Sequence, residues 1–235
     1  MTALVRPAPA LLNSPALPAG PARLAGSAGL LAVGLYLGTT VAGAAASPGY
    51  SHIADPISEL TSSAAPHAAG LAVGYVGYNL AAAAFALGLR RMSPHSRYAG
   101  HALAWMVVGA IAGIGQVTLF PQDTTGEAAT TAGRVHIGLA GVSALLTIVC
   151  AVLYAIAFRK DLRWERHARF TWACALAIVV TGSVAAVSAG RPWMGAAERL
   201  PIGTFLLWIA VVSVRCLRAA GTGATTEPAA QAAAR

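Results

Sequence analysis

Six long apolar runs constrain this sequence more than any other feature. They occupy residues 27–46, 67–89, 98–120, 136–158, 170–189 and 196–217. Each approaches or exceeds the roughly 20 residues that a helix needs to cross the hydrocarbon of a bilayer. Only 10% of the chain is charged, against roughly 25% in an average globular protein, which indicates that much of the chain does not face water. The runs therefore predict six transmembrane helices.

Two other architectures fit the runs less well. A soluble, alanine-rich helical bundle would carry an apolar stripe and a charged stripe on each helix, whereas these runs are apolar on all sides. Strands of a membrane β-barrel would alternate polar and apolar residues with a period of two, and the runs do not. Open sheets are excluded inside a bilayer, because their peptide groups would lack hydrogen-bond partners. We therefore expect an all-α polytopic membrane protein, a bundle of six transmembrane helices.

The basic residues divide unequally between the two sides that six crossings define. Thirteen of the sixteen Lys and Arg residues fall on the side that carries both termini, and the other three are Arg134, Arg191 and Arg199. By the positive-inside rule, the thirteen-cation side is cytoplasmic. The net charge of +8 is then an orientation signal that also faces anionic lipid headgroups, and it requires no nucleic-acid partner. We expect membrane lipids as partners.

The composition also bears on the cell and on the two ends of the chain. Abundant Ala, Gly, Pro and Arg with a single Lys suggest a GC-rich genome, and hence a multi-pass protein of a bacterial cytoplasmic membrane with both termini inside. Prolines interrupt the first segment, which therefore lacks the apolar core of a signal peptide. We predict disordered cytoplasmic tails over residues 1–24 and 219–235, and a six-helix transmembrane domain over residues 25–218. No cysteine lies in an outer loop, so we expect no disulfide framework.

Most of the remaining polar residues collect in the loops of the outer side. The first of these loops contains the stretch GYSHIADPISE, residues 49–59. Within it, Asp55 suits the N-cap of a helix, because its carboxylate can accept a backbone N–H, and Pro56 suits the first helical position. We therefore predict a short interfacial helix over residues 56–62, capped by Asp55.

Four short motifs follow one another along the chain. They are PGYSHIADPISEL after the first run, LFPQD closing the third, GRVH opening the fourth and ER starting the sixth. Together they resemble the membrane-protein family catalogued as domain of unknown function 998 (DUF998), over roughly residues 25–217. The resemblance implies a compact multi-helix integral membrane protein, and it implies no known reaction. The family-like residues are His52, Ser58, Glu59, Pro121, Asp123, Arg134, His136, Glu198 and Arg199.

Eight of these residues are candidates for chemistry, because the outer ends of the first, third, fourth and sixth helices can converge in a bundle. The candidate catalytic residues are Glu59, His52, Asp123 and His136. The candidate substrate-binding residues are Ser58, Arg134, Arg199 and Glu198. In one interpretation, the arginines receive an anionic headgroup or phosphate while Glu59 or Asp123 acts as base. In the other, the acids and arginines form ion pairs that hold the loops together.

A metal site and a hydrolase triad are further alternatives. His52 and His136, with Asp55, Asp123 or Glu59, supply the ligands of a zinc site with an open position, yet no ligand motif such as HExxH is present. The serines of the first loop lie in no nucleophile elbow such as GxSxG. The sequence also lacks a GxGxxG or Walker loop, so no metal or cofactor is assigned.

Three functions fit these observations. The first is a membrane enzyme acting on a lipid or lipid-linked substrate at the outer leaflet. The second is a transporter of a lipid or small molecule, against which the shortage of charges inside the helices counts. The third is a non-catalytic membrane scaffold or partner protein whose outer motifs fix the loops. The sequence favours the first and the third equally.

Overall fold

The computed structural model describes residues 17–93, 95–124 and 128–233, with side chains described as far as residue 221. Within these residues the chain is all helical, and no strand is present. The long helices are α1 Ala19–Ala46, α2 Ala68–Met92, α3 Arg97–Thr118, α4 Thr131–Arg159, α5 Glu165–Ala186 and α6 Met194–Ala233. Two short 3-10 helices cover Ile57–Thr61 and Leu162–Trp164. Six helices are long and apolar enough to cross a membrane, which confirms the predicted fold class.

The six helices form a ring. Each packs against its neighbours in sequence, as short connections favour, and α6 returns to pack against α1. Successive helices run in opposite directions, so the connections collect at two ends of the bundle. We call the end with residues 47–67, 119–124, 128–130 and 187–193 the long-loop end. The opposite end, with residues 93, 95–96 and 160–164, is called the basic end.

Aromatic side chains fill the middle of the ring. Trp208 of α6 is fully buried, and its ring centroid lies 5.6 Å from that of Phe85 and 5.4 Å from that of Tyr154. The indole Nε1 donates a hydrogen bond of 3.0 Å to Thr171 Oγ1. Because lipid removes the hydrophobic drive between membrane helices, such packing and interhelical hydrogen bonds hold the bundle together. Helices α2, α4, α5 and α6 therefore meet at one aromatic core.

Capping side chains, rather than the limits of the apolar runs, set the starts of two helices. Helix α4 begins at Thr131, five residues before the predicted run, because Thr130 Oγ1 accepts the N–H of Gly133 at 3.1 Å. In α3 the same task falls to Ser96 Oγ, which accepts the N–H of Ala99 at 3.3 Å. Each hydroxyl satisfies one of the N–H groups that a helix start leaves without a partner.

The predicted tails fall partly on residues that the structure describes. Helix α1 already begins at Ala19, and α6 runs on to Ala233, so helical backbone extends into both segments that we expected to be disordered. Residues 1–16 and 234–235 of these tails lie outside the described residues. The division into tails over residues 1–24 and 219–235 and a transmembrane domain over residues 25–218 stays a prediction.

The predicted helix in the first loop is present, but its predicted cap is wrong. It is a 3-10 helix over Ile57–Thr61, preceded by Pro56 in an extended conformation and without a side-chain cap from that residue. Asp55 turns the other way: its Oδ2 accepts the N–H of Ser51 at 2.7 Å, and its own N–H donates to the carbonyl of Ser51 at 2.8 Å. Asp55 therefore closes the turn before the helix instead of capping the helix.

The backbones of α1 and α2 approach closely near the basic end. A Cβ atom placed on Gly88 would lie 2.6 Å from the backbone nitrogen of Ala25 and 2.7 Å from its Cβ. No real Cβ atom is accommodated at such distances from a helix backbone, so any side chain at position 88 must separate the two helices.

The substitution Gly88→Ala tests this contact. We expect it to lower the melting temperature in detergent, because overpacking at a close contact costs about 1–3 kcal/mol. The matched control is Gly70→Ala on the same helix, where a Cβ meets nothing within 4 Å. A Gly88→Ala protein that melts no lower than Gly70→Ala would contradict the close approach of α1 and α2.

Candidate functional site

The first loop is bonded directly to the start of α6. The backbone N–H of Ala196 donates to the carbonyl of Ile53 at 2.9 Å, and that of Gly195 donates to the carbonyl of Ala54 at 3.3 Å. These N–H groups belong to the first turn of a helix and have no partner inside it. The first loop therefore supplies acceptors that the start of α6 requires.

Glu198 caps the 3-10 helix of the first loop from α6. Its Oε2 accepts the backbone N–H of Ile57, the first residue of this helix, at 2.6 Å. This N–H is one of those that a helix start leaves without a partner inside the helix. The capping role that the sequence assigned to Asp55 therefore belongs to a residue 141 positions away.

Arg199 donates hydrogen bonds to acceptor groups of the same loop. Its Nη1 donates to the carbonyls of Asp55 at 3.0 Å and Gly195 at 2.8 Å, while Nη2 donates to the hydroxyl of Tyr50 at 2.5 Å. That hydroxyl in turn donates to the carbonyl of Pro56 at 3.0 Å. We call this set the loop clasp; its members are Tyr50, Asp55, Ile57, Gly195, Glu198 and Arg199.

Gly195 makes the loop clasp sterically possible. A Cβ atom at this position would collide with the carbonyl oxygen of Asp55 and would lie 2.9 Å from Nη1 of Arg199. The absence of a side chain lets the first loop lie directly on the backbone of α6. Burial raises the pKa of Tyr50, and the hydrogen bond from Arg199 opposes this shift without cancelling it. The Tyr50 phenol therefore stays neutral at physiological pH and acts as a hydrogen-bonding bridge.

A second group of bonded residues lies at the connection between α3 and α4, where Asp123 binds the residue that precedes α4. Its Oδ1 accepts the hydroxyl of Thr130 at 2.6 Å, and its Oδ2 accepts the backbone N–H of the same residue at 2.9 Å. These two bonds keep the pKa of Asp123 below its ordinary value, with smaller contributions from the charges of Arg134 and His136. We call the group Asp123, Thr130 and His136 the α3–α4 corner.

His136 is buried in the α3–α4 corner with 5% of its surface exposed. Its Nδ1 lies 2.8 Å from the carbonyl oxygen of Phe120. A carbonyl can only accept, so Nδ1 carries the proton in this bond. The backbone carbonyl of His136 accepts the side-chain N–H of Gln116 at 3.3 Å. Both bonds tie the start of α4 to the end of α3.

The remaining candidates lie around these two groups. Arg134 is exposed and donates to the carbonyls of Ala129 and Thr130 at the start of its own helix. His52 is exposed, with its ring centroid 5.5 Å from that of Tyr50. Ser58 and Glu59 are half-buried on the 3-10 helix.

One backbone bond links the loops that carry the two groups. The N–H of Ser63 in the first loop donates to the carbonyl of Gln122 in the second at 3.2 Å. Glu198 and Arg199 thus bind the first loop, whereas Asp123, Arg134 and His136 each bind backbone or side-chain groups of the connection between α3 and α4. The possible zinc ligands do not gather: within residues 17–93, 95–124 and 128–233, no three His, Cys, Asp or Glu side chains form a group that can hold a metal ion.

Three structural residues were not among the sequence candidates. Tyr50 bridges Arg199 to the first loop, Thr130 links Asp123 to α4, and Gly195 allows the close approach of loop and helix. A threonine directly before an apolar helix is a recognisable N-cap signal, so Thr130 was accessible to sequence analysis. The roles of Tyr50 and Gly195 depend on contacts with distant parts of the chain, and no local pattern announces them.

Comparison with known proteins gives a family and no activity. A family model described as "Protein of unknown function (DUF998)" matches residues 30–215, which confirms the resemblance seen in the motifs. No curated protein and no solved structure matches the chain.

Removing the carboxylate of the loop clasp should destabilise the protein. We expect Glu198→Ala to lower the free energy of unfolding by about 1–3 kcal/mol, because the N–H of Ile57 loses its acceptor. Glu198→Gln, which keeps an acceptor oxygen, should lose less. Thermal unfolding in detergent measures both effects, with Arg191→Ala as the control at an exposed charge of the same end. Equal melting temperatures for wild type and Glu198→Ala would show that this bond does not stabilise the fold.

The bonds from Thr130 should be visible in the titration of Asp123. We expect the pKa of Asp123 in wild type to lie below that of an unperturbed carboxyl, and to rise in Thr130→Val, which removes the hydroxyl donor but keeps the backbone N–H. The stabilisation is present above the unfolded pKa and is lost as pH falls through the lower folded pKa. Carbon-13 NMR of labelled Asp side chains in nanodiscs measures the shift. An unchanged pKa in Thr130→Val would rule out the hydroxyl as its main cause.

Proposed function

We propose that this chain, which belongs to the DUF998 family, is a non-catalytic membrane scaffold that holds a fixed outer surface for a partner protein. The observation that carries the proposal is the loop clasp. Glu198 and Arg199, two of the residues that sequence analysis offered for substrate binding, are bonded to backbone groups of the first loop. Side chains engaged in this way position a loop and are not free to receive a substrate.

The α3–α4 corner supports the same proposal. A catalytic base needs an oxygen or nitrogen within reach of the substrate proton. Both carboxylate oxygens of Asp123 accept bonds from Thr130. His136 is only 5% exposed, and its bond to the carbonyl of Phe120 fixes the ring inside the connection, away from a substrate at the surface. Hydrogen bonding to its charged form makes Asp123 a weaker base. We infer that these two residues serve the connection between α3 and α4.

The surface that the loop clasp would present lies on the first loop. Ile53 has a bonded backbone carbonyl, yet its side chain is 63% exposed, and the neighbouring His52 is exposed as well. A fixed backbone with exposed apolar and imidazole groups suits contact with another protein, because little conformational entropy remains to be lost on binding.

The topology of this proposal follows the basic residues. We propose that the basic end is cytoplasmic, in accordance with the positive-inside rule, and that both termini lie inside the cell. The long-loop end then faces outward, and a bacterial cytoplasmic membrane surrounds the helices. The tail segments beyond the described helix ends would lie in the cytoplasm.

One experiment separates the scaffold proposal from the enzyme and transport alternatives. Wild-type protein is reconstituted in liposomes of bacterial lipid extract, and lipid products and lipid flux are compared with protein-free liposomes. We expect no difference in either measurement. The variants His52→Ala, Ser58→Ala and Glu59→Gln should likewise behave as wild type.

A lipid product that wild type forms would overturn the scaffold proposal, provided that His52→Ala or Glu59→Gln abolishes it at an unchanged melting temperature. Flux above that of protein-free liposomes would overturn it in favour of transport. The aromatic core around Trp208 argues against transport, because fully buried rings occupy the interior of the ring of helices.

A further inference from the structure

A cavity of about 450 Å³ lies against α5 and α6 toward the basic end. This volume falls within the range of roughly 300–1,000 Å³ that is typical of small-molecule sites. Its lining residues are His167 of α5 and Ala210, Val211, Val214, Arg215 and Arg218 of α6. None of these residues takes part in the loop clasp or the α3–α4 corner.

The lining of the cavity changes from apolar to basic along α6. Its α6 positions are spaced by one, three and four residues, so they share one face of the helix. The face begins with Ala210 and Val211 and ends with Arg215 and Arg218. At 1.5 Å per residue, this face is about 12 Å long. The apolar part lies nearer the middle of the membrane span, and the arginines lie nearer its end.

Arg215 is held in place without being neutralised. Its guanidinium lies 5.6 Å from the ring centroid of Trp164, and its Nη2 donates to the carbonyl of Arg163 at 3.5 Å. Trp164 is itself stacked on Phe158, with centroids 4.5 Å apart and planes inclined by 8°. In the described part of the chain, Arg215 has no ion pair with a carboxylate, and the nearby Asp161 is bonded to Arg163 at 2.6 Å.

We propose that this cavity binds an anionic phospholipid of the leaflet at the basic end. Arg215 and Arg218 receive the phosphate, His167 lies beside the headgroup, and an acyl chain follows Ala210, Val211 and Val214. The order of apolar and basic groups along α6 matches the order of acyl chain and headgroup in a lipid. Basic pockets between transmembrane helices are suited to anionic headgroups. The site goes beyond the scaffold proposal and does not depend on it.

Lipid binding is measured by native mass spectrometry of the full chain, released from nanodiscs of phosphatidylcholine with or without phosphatidylglycerol. We expect one phosphatidylglycerol molecule to stay bound to wild type in preference to phosphatidylcholine. The double variant Arg215→Gln/Arg218→Gln should bind it roughly thirtyfold more weakly, since each basic residue at a membrane surface contributes about fivefold. The matched control is Arg166→Gln/Arg169→Gln, which removes two exposed charges near the same end.

A second variant tests the shape of the site without changing its charge. Ala210→Leu fills the apolar part of the cavity and should also reduce bound phosphatidylglycerol, at a melting temperature close to that of wild type. If the Arg166→Gln/Arg169→Gln control loses as much bound phosphatidylglycerol as Arg215→Gln/Arg218→Gln, the attraction is diffuse and the proposal of a defined site is overturned. Full binding in both cavity variants would overturn the proposal as well, as would displacement of the lipid by an equal concentration of inorganic phosphate.

Discussion

The long-loop end depends on satisfying the backbone groups at the start of α6, which the first loop covers and shields from water. A buried N–H or C=O group without a partner costs about 1–3 kcal/mol. At the start of α6, the first loop provides the acceptors, and α6 in return caps the loop through Glu198. This exchange joins the connection between α1 and α2 to the last helix. It therefore helps to close the ring at the long-loop end, where α6 meets α1.

Glu198 and Arg199 are neighbours in sequence, and together they bind both kinds of backbone group in the first loop, one N–H and one carbonyl. The arginine donates to the carbonyl of Asp55, and the glutamate accepts from the N–H of Ile57. Hydrogen bonds to charged groups contribute about 1.5–3 kcal/mol, more than bonds between neutral groups. Exposed ion pairs contribute only about 0–1 kcal/mol. The bonds that Arg199 donates to backbone carbonyls therefore connect loop and helix more firmly and with more direction than exposed ion pairs between the loops would.

The transmembrane fold was predictable because hydropathy over some 20 residues has few alternative explanations. The starts of α2, α3 and α6 lie within two residues of the predicted runs, whereas α4 begins five residues before its run because Thr130 caps it there. The cap predicted for Asp55 failed because Ser51, four residues earlier, competes for the same carboxylate. The true cap, Glu198, is placed by the packing of α6 against the first loop. Contacts of that kind have no signature in local spacing, so the sequence identified the polar residues of the long-loop end without their partners.

The two ends of the bundle use their charges in different ways. At the long-loop end, Glu198 and Asp123 are bound to groups that fix the fold, so any reaction using them must first break structural bonds. At the basic end, the position of Arg215 depends on stacking against Trp164 and on one carbonyl. Stacking occupies the face of the guanidinium and leaves N–H groups at its edge for an anion. A lipid phosphate can therefore bind there without disturbing the fold. A substrate at the long-loop end would instead compete with the structural hydrogen bonds of Glu198 and Asp123.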